Sequence, residues 1–133
     1  PAQDWPSGYE RKLFGAIDKL SSVAEHFNAS HLLSIAVWIA NETLNQHPRL
    51  FSSDEAIFLM LAAAFYKVLN EILGVSFSDY CNVVGKLGVD VATVEKFAGL
   101  IPLSFEGICA RLFSVKTPLD INFEAFHKGV SSL

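Results

Sequence analysis

The segment Ala56–Tyr66, which reads AIFLMLAAAFY, decides the fold of this chain. It contains no charged residue, and Ser52 and Glu55 just upstream have the spacing of a capping box. In a capping box each side chain accepts a hydrogen bond from the other residue's backbone N–H, so a helix is expected to start there. The three adjacent alanines, Ala62–Ala64, let a neighbouring helix approach closely because no long side chain holds the two axes apart. The pattern predicts a buried helix that ends at Gly74.

Length and composition limit what this helix can be part of. With 133 residues, 51% of them hydrophobic, the chain has enough material for one buried core. The uncharged run is shorter than the roughly 18 residues that a transmembrane helix requires, so no membrane association is expected. The net charge is −4 and the ten Lys and Arg residues are scattered, which argues against binding to nucleic acid.

Two helices are predicted before the central segment. The first begins at Tyr9, and its apolar residues recur at spacings of three and four, which is typical of an amphipathic helix. The second begins near Ser30, capped by Asn28 or Ser30, and ends before Pro48. Its segment Leu32–Ala40 is apolar nearly all round, which predicts a place in the centre of a bundle, paired with the third helix. The stripe of the first helix consists of Leu13, Ile17, Leu20, Ala24 and Phe27.

Shorter helices are predicted after Gly74. Ser76 and Asp79 repeat the capping-box spacing before a fourth helix, Phe77 to about Val84, which Gly85 and Gly88 end. Asp90 is placed to cap a fifth helix that carries apolar residues as far as Ile101, although Pro102 closes it early. Two further helices, from about Phe105 to Phe113 and from Phe123 to Val130, are expected beyond it.

These patterns predict an all-α fold with one compact domain. No stretch alternates apolar and polar residues over enough positions to predict a β-strand. Residues 1–8 contain Pro1, Pro6 and Gly8 and are expected to form an N-terminal arm, with the helical domain covering residues 9–133. Trp5 on this arm is a candidate anchor on this domain or on a partner, because exposed aromatic residues often carry binding energy.

Four segments give the helices a family resemblance. They are Gln46–Phe51 (QHPRLF), Ala62–Glu71 (AAAFYKVLNE), Asp79–Gly85 (DYCNVVG) and Val91–Phe105. In order and spacing they resemble a cyclin box, which would cover roughly residues 14–105. They are most similar to cyclins of the phosphate-regulating P/U type. The resemblance implies a five-helix bundle, with the C-terminal helices as additions to it.

The resemblance also implies a protein partner and a binding surface. Lys67 lies where cyclins keep a lysine in their third helix, and Glu95 lies where they keep a glutamate in their fifth. In that family the two residues hydrogen bond to backbone groups near the regulatory helix of a cyclin-dependent kinase. Glu71, in the acidic turn after Lys67, belongs to the same expected surface. A structural role is the alternative, because a lysine late in a helix or a glutamate early in one stabilises the helix dipole.

The chain departs from the cyclin pattern at several places. The first helix lacks the Met-Arg-hydrophobic motif of the cell-cycle cyclins, so no docking of substrate peptides is implied there. Lys67–Glu71 reads KVLNE in place of a lysine, a phenylalanine and an acidic pair, and Pro102 interrupts a helix that the family leaves whole. These departures leave open an adaptor that keeps the fold and binds a protein other than a kinase.

The sequence contains no motif that is typical of a catalytic site, a metal site or a phosphate-binding loop. No two of the four histidines have a spacing that would let both bind one metal ion. The four are His26, His31, His47 and His127. Cys81 and Cys109 have neither a CxxC spacing nor nearby histidines, and we expect both to be reduced core residues. Gly85–Gly88 lacks the length and the Lys-Ser/Thr ending of a phosphate-binding loop. No enzymatic activity, metal or cofactor is therefore expected, and the cysteine usage suggests a cytoplasmic or nuclear protein.

A third possibility is a helical bundle that encloses a small apolar ligand. The chain has 11 phenylalanines, which could line a pocket or fill a core. A filled core is the favoured interpretation. The candidates for a pocket lining are Phe58, Phe65, Phe77 and Phe97.

Overall fold

The computed structural model describes residues 8–101, which fold into an all-α bundle. Three short 3₁₀ turns, Ser30–Leu32, Pro48–Ser52 and Gly85–Leu87, connect the α-helices, and residues 8–101 contain no β-strand. The all-α prediction is confirmed. The arm with Trp5 and the helices expected beyond Pro102 lie outside the described residues. The α-helices are α1 (Tyr9–His26), α2 (Leu33–Asn45), α3 (Asp54–Leu73), α4 (Phe77–Val84) and α5 (Val91–Ala98).

Helix α3 forms the centre of the bundle. Every residue from Ala56 to Phe65 is buried, and the three alanines Ala62–Ala64 have no exposed surface. The other four α-helices all contact α3, and its contact with α2 is the most extensive between helices in residues 8–101. The predicted pairing of the second and third helices is confirmed, because the alanines allow a close approach of the two axes.

By length and composition α3 could cross a membrane. It has 20 residues, and an 18-residue window within it has a mean hydropathy of 1.7. The apolar part of α3 is therefore longer than the uncharged run Ala56–Tyr66, from which no membrane-spanning helix was expected. In this fold 67% of that window is buried inside the protein, as expected for the core helix of a bundle.

Helix α2 lies beside α3 and is largely buried. Seven of the nine residues of Leu32–Ala40 are buried, and Ile35 and Trp38 are partly exposed. The interior position predicted for this segment is therefore confirmed, and α3 is the helix that contacts the four other α-helices.

The capping residues predicted for α2 and α3 are wrong. Ser53 caps α3 by accepting a hydrogen bond from the Ala56 N–H at 3.1 Å, while the Ser52 hydroxyl donates to the Arg49 carbonyl. A cap needs extended backbone, which Ser53 has and Ser52, at the end of a 3₁₀ turn, does not. No side chain caps the start of the second helix, because the N-cap residues, Ala29 before the 3₁₀ turn and Leu32 before α2, have no polar side-chain atom. Asn28 lies one residue too early and adopts a left-handed conformation with φ 54°.

The predicted end of α3, both ends of α4 and the start of α5 are confirmed, whereas α5 ends three residues before Ile101, the last residue expected in it. Gly74, at φ 70°, ends α3 in a left-handed conformation that an L-residue with a side chain rarely adopts. The Ser76 hydroxyl accepts from the Asp79 N–H before α4, and the Asp90 carboxylate accepts from the Ala92 N–H before α5. Helix α5 ends at Ala98. Ile101 follows it outside the helix and is buried.

Tyr80 attaches α4 to the central helix. Its side chain is buried, and its hydroxyl donates a hydrogen bond of 2.6 Å to the Ala62 carbonyl of α3. Its ring contacts the rings of Phe27, Phe65 and Tyr66. Burial strongly raises the pKa of Tyr80, so the hydroxyl stays protonated and remains a donor. Helix α4 is therefore attached to the middle of α3, at Ala62–Tyr66.

Candidate functional site

The candidate partner-binding residues of α3 lie in its C-terminal half. Lys67 is partly exposed, and Glu71, one turn later, is exposed. A spacing of four places both side chains on the same face of the helix. Val68 and Leu69 between them are fully buried and hold this part of α3 in the core. The scaffold below the two charged groups is thus rigid.

Glu95 lies on the neighbouring helix α5. Its carboxylate is exposed, while Val94 and Ala98 on the same helix are buried. Helix α5 packs directly against α3. The fold therefore places the two sequence-predicted positions, Lys67 and Glu95, on a pair of helices in contact.

Helix α4 contributes a neighbour of Glu95 that the sequence did not reveal. Burial raises the pKa of the Cys81 thiol, and the negative charge of Glu95 raises it further. The two side chains therefore influence each other electrostatically across α4 and α5. Cys81 is a free thiol and is partly exposed, which corrects its assignment to the core. Its raised pKa favours the protonated thiol over the reactive thiolate.

The charges of this surface are not used inside the described part of the molecule. The one ion pair within residues 8–101 joins Lys12 of α1 to Asp54 of α3 at 3.1 Å. The ammonium of Lys67 and the carboxylates of Glu71 and Glu95 have no oppositely charged group within 4.0 Å among these residues. Within residues 8–101, no ion pair therefore prevents these groups from forming hydrogen bonds with another molecule.

The helix-dipole alternative does not explain these residues. Lys67 lies six positions before the end of α3, outside the last turn in which a cation stabilises the dipole. Glu71 is in the last turn of α3, and Glu95 is in the last turn of α5. A negative charge at a helix C-terminus opposes the dipole, at a cost of about 0.3–1 kcal/mol. We refer to Lys67, Glu71 and Glu95, the charged residues that the two packed helices α3 and α5 present to solvent, together as the charged face.

The other residues considered from the sequence lie elsewhere. His26 and His31 are exposed and His47 is partly exposed, while His127, Cys109 and Trp5 lie outside the described residues. Within residues 8–101, no three His, Cys, Asp or Glu side chains come together in a group that could hold a metal ion. Phe65 is fully buried against Tyr80, whereas Phe77 and Phe97 are partly exposed at the edge of the core.

Phe58 lies at the base of an open cleft between α1, the start of α3 and the start of α5. The cleft has a volume of about 650 Å³, and the Lys19 ammonium lies 5.4 Å from the centre of the Phe58 ring. Phe65, Phe77 and Phe97 do not line it. The four phenylalanines therefore do not form one common pocket wall here.

Comparison of the chain with protein-family models, with curated proteins and with solved structures found no match.

Proposed function

We propose that this chain is a cyclin-like regulatory subunit that binds and activates a cyclin-dependent kinase through the charged face. The observation that carries the proposal is the state of Lys67, Glu71 and Glu95. They project from two packed helices and have no oppositely charged partner in residues 8–101. Two of the three oppose the dipoles of their own helices. Charges that have no partner within residues 8–101 can orient and select a bound protein.

The order of the helices supports the same interpretation. Residues 8–101 form five α-helices, the number that the resemblance to a cyclin box implies, and the alanine-rich third helix contacts the other four. Lys67 in α3 and Glu95 in α5 are the two positions at which the resemblance implies a contact with a kinase. Both side chains reach the surface, which a direct contact with a kinase requires.

The chemistry of the contact is hydrogen bonding to backbone groups. A lysine ammonium has three donors for kinase carbonyl groups, and a carboxylate accepts from backbone N–H groups. Hydrogen bonds with one charged partner are stronger than neutral ones. Charged pairs of this kind orient the partner and select it against others.

Activation needs no catalytic group on this chain. Protein kinases require an ion pair between a lysine and a glutamate on their regulatory helix before they transfer phosphate. A subunit bound beside that helix can hold it inward, so that the ion pair forms more often. The bound subunit thereby shifts the kinase toward its active conformation.

The proposal is tested by mixing the purified chain with a panel of purified cyclin-dependent kinases. Binding is measured by calorimetric titration, and phosphorylation of a generic peptide is measured with and without the chain. We expect at least one kinase to bind and to become more active. Lys86→Ala, a change of an exposed lysine on the 3₁₀ turn Gly85–Leu87, serves as the control for Lys67→Ala.

Three outcomes separate the alternatives. Activation that Lys67→Ala weakens and Lys86→Ala preserves supports the kinase subunit. Binding without any activation indicates an adaptor that uses the same fold. If no kinase of the panel binds, or if Lys67→Ala behaves like the control, the proposal is wrong.

A further inference from the structure

The motif Gln46–Leu50 forms one wall of a groove that the charged face does not include. The groove has a volume of about 460 Å³ and lies between the 3₁₀ turn Pro48–Ser52 and the residues that follow α5. Its apolar surface includes Leu100, which is 37% exposed. The residues that line it are Gln46, His47, Pro48, Arg49, Leu50 and Leu100.

This wall is held in place by bonds within the turn and by packing beneath it. The Leu50 N–H donates to the His47 carbonyl at 2.9 Å, and the Ser52 hydroxyl donates to the Arg49 carbonyl at 3.0 Å. Phe51 points into the core, where its ring meets the buried ring of Tyr9 edge to face at 4.7 Å. A preformed wall reduces the ordering cost that binding would otherwise carry.

The polar groups of the groove favour a negatively charged ligand. Arg49 is exposed and has no carboxylate within 4.0 Å among residues 8–101. His47 beside it has ring nitrogens that can donate a hydrogen bond. No Asp or Glu lines the groove, although the chain as a whole carries a net charge of −4. A positive, partly apolar groove on an acidic protein is complementary to an acidic segment with an aliphatic side chain.

We infer that this groove binds an acidic, aliphatic peptide segment of a protein partner. A leucine, isoleucine or valine of the segment packs between Leu50 and Leu100, and a neighbouring carboxylate accepts hydrogen bonds from Arg49. An arginine fork suits a carboxylate because two parallel N–H groups can bind its two oxygens. The inference goes beyond the proposed function, because Lys67, Glu71 and Glu95 do not line this groove.

The test uses the full chain and a fluorescein-labelled peptide, Glu-Glu-Leu-Ile-Glu, followed by fluorescence anisotropy. We expect saturable binding that weakens as salt is added, because the attraction is partly electrostatic. Arg49→Glu and Leu100→Ser should each weaken binding by about tenfold or more. Lys86→Glu, a charge reversal at an exposed site outside the groove, is the control and should bind like the wild type. Circular dichroism checks that each variant is folded.

Several results would overturn the inference. One is the absence of saturable binding up to about 1 mM peptide, a weak limit for a specific site. Another is equal binding of the charge-reversed peptide Lys-Lys-Leu-Ile-Lys. A third is a folded Arg49→Glu variant that binds like Lys86→Glu. Lys67→Ala should leave peptide binding unchanged, so this result does not depend on whether a kinase binds the charged face.

Discussion

The two halves of α3 differ in their surroundings although they belong to one continuous helix. From Ala56 to Phe65 every side chain is buried. From Tyr66 to Leu73 only Val68 and Leu69 are buried, and the last four residues are exposed, among them Ile72 at 43% and Leu73 at 47%. The first half is packed on all sides by the bundle, and the second half emerges from it.

The difference separates what holds the fold from what is available to a partner. A buried alanine at a close helix crossing cannot change size without moving its neighbours. A charged residue on the emerging half can change with little effect on folding, because water surrounds it. Substitutions in the first half should therefore change the free energy of unfolding strongly, and substitutions of charged residues in the second half should change it little.

The largest effect is expected in the enclosed half. Ala63→Leu should lower the free energy of unfolding by about 1–3 kcal/mol, because added methylene groups force the packed helices apart. Ala92→Leu, at an exposed position of α5, is the control and should stay within about 0.5 kcal/mol of the wild type. Urea denaturation measures both. Equal midpoints for the two variants would contradict the close packing of α3.

The sequence predicted this half of the helix well because burial there follows from composition alone. AIFLMLAAAFY offers no polar side that could face water, and Gly74 permits the left-handed turn that ends the helix. The cap was missed by one residue, since Ser52 and Ser53 are chemically equivalent in a sequence. Only the backbone conformation, extended at Ser53 and 3₁₀ at Ser52, decides between them.

A smaller effect is expected where α4 attaches to α3. Tyr80→Phe removes the hydrogen bond to the Ala62 carbonyl and should lower the free energy of unfolding by about 0.5–1.5 kcal/mol. Tyr66→Phe is the control, because no hydrogen bond of the Tyr66 hydroxyl is found within residues 8–101. Thermal unfolding distinguishes them. A Tyr80→Phe variant as stable as Tyr66→Phe would show that ring packing alone holds α4.

The emerging half should gain stability when its unfavourable charge is removed. Glu71→Gln should raise the free energy of unfolding by about 0.3–1 kcal/mol, because the carboxylate lies at the C-terminal end of α3. Glu55→Gln, in the first turn of the same helix, should lower it by a similar amount. Added salt should reduce both changes. A loss of stability in Glu71→Gln would mean that Glu71 has a stabilising role within the fold.

The smallest effect concerns the influence of Glu95 on the pKa of the Cys81 thiol. Glu95→Gln removes the negative charge that raises the pKa of Cys81, so a larger fraction of the thiol is ionised. Alkylation by iodoacetamide near neutral pH should therefore become faster. All variants carry Cys109→Ser, so that Cys81 is the thiol that reacts. The control is Glu25→Gln, which removes a carboxylate from an exposed position of α1. An unchanged alkylation rate would show that the charge of Glu95 does not raise the pKa of Cys81.

The charged face could be predicted only in part from the sequence. The resemblance singled out Lys67 and Glu95, and the fold brings their helices into contact. The position of Glu95 in the last turn, and the lack of a charged partner for it within residues 8–101, depend on where α5 ends and what lies beside it. The electrostatic influence of Glu95 on Cys81 acts between residues 14 positions apart, and no local pattern predicts it. Such features arise from tertiary packing.

The central claim is that stability and partner affinity separate on the charged face. Lys67→Ala and Glu95→Ala should each change the free energy of unfolding by only about 0–1 kcal/mol. Loss of one member of a charged hydrogen bond that is buried in a complex typically costs about 2–5 kcal/mol of affinity. Because both residues would contact one element of the partner, the double variant should lose less than the sum of the single losses.

The deciding measurement is calorimetric titration of a cyclin-dependent kinase with the wild type, both single variants and the double variant, beside a melting curve for each. The account predicts near-wild-type melting and strongly weakened binding in both single variants. Wild-type affinity in both of them would contradict the kinase-binding role. A large loss of folding stability would instead make the pair an internal support of the bundle.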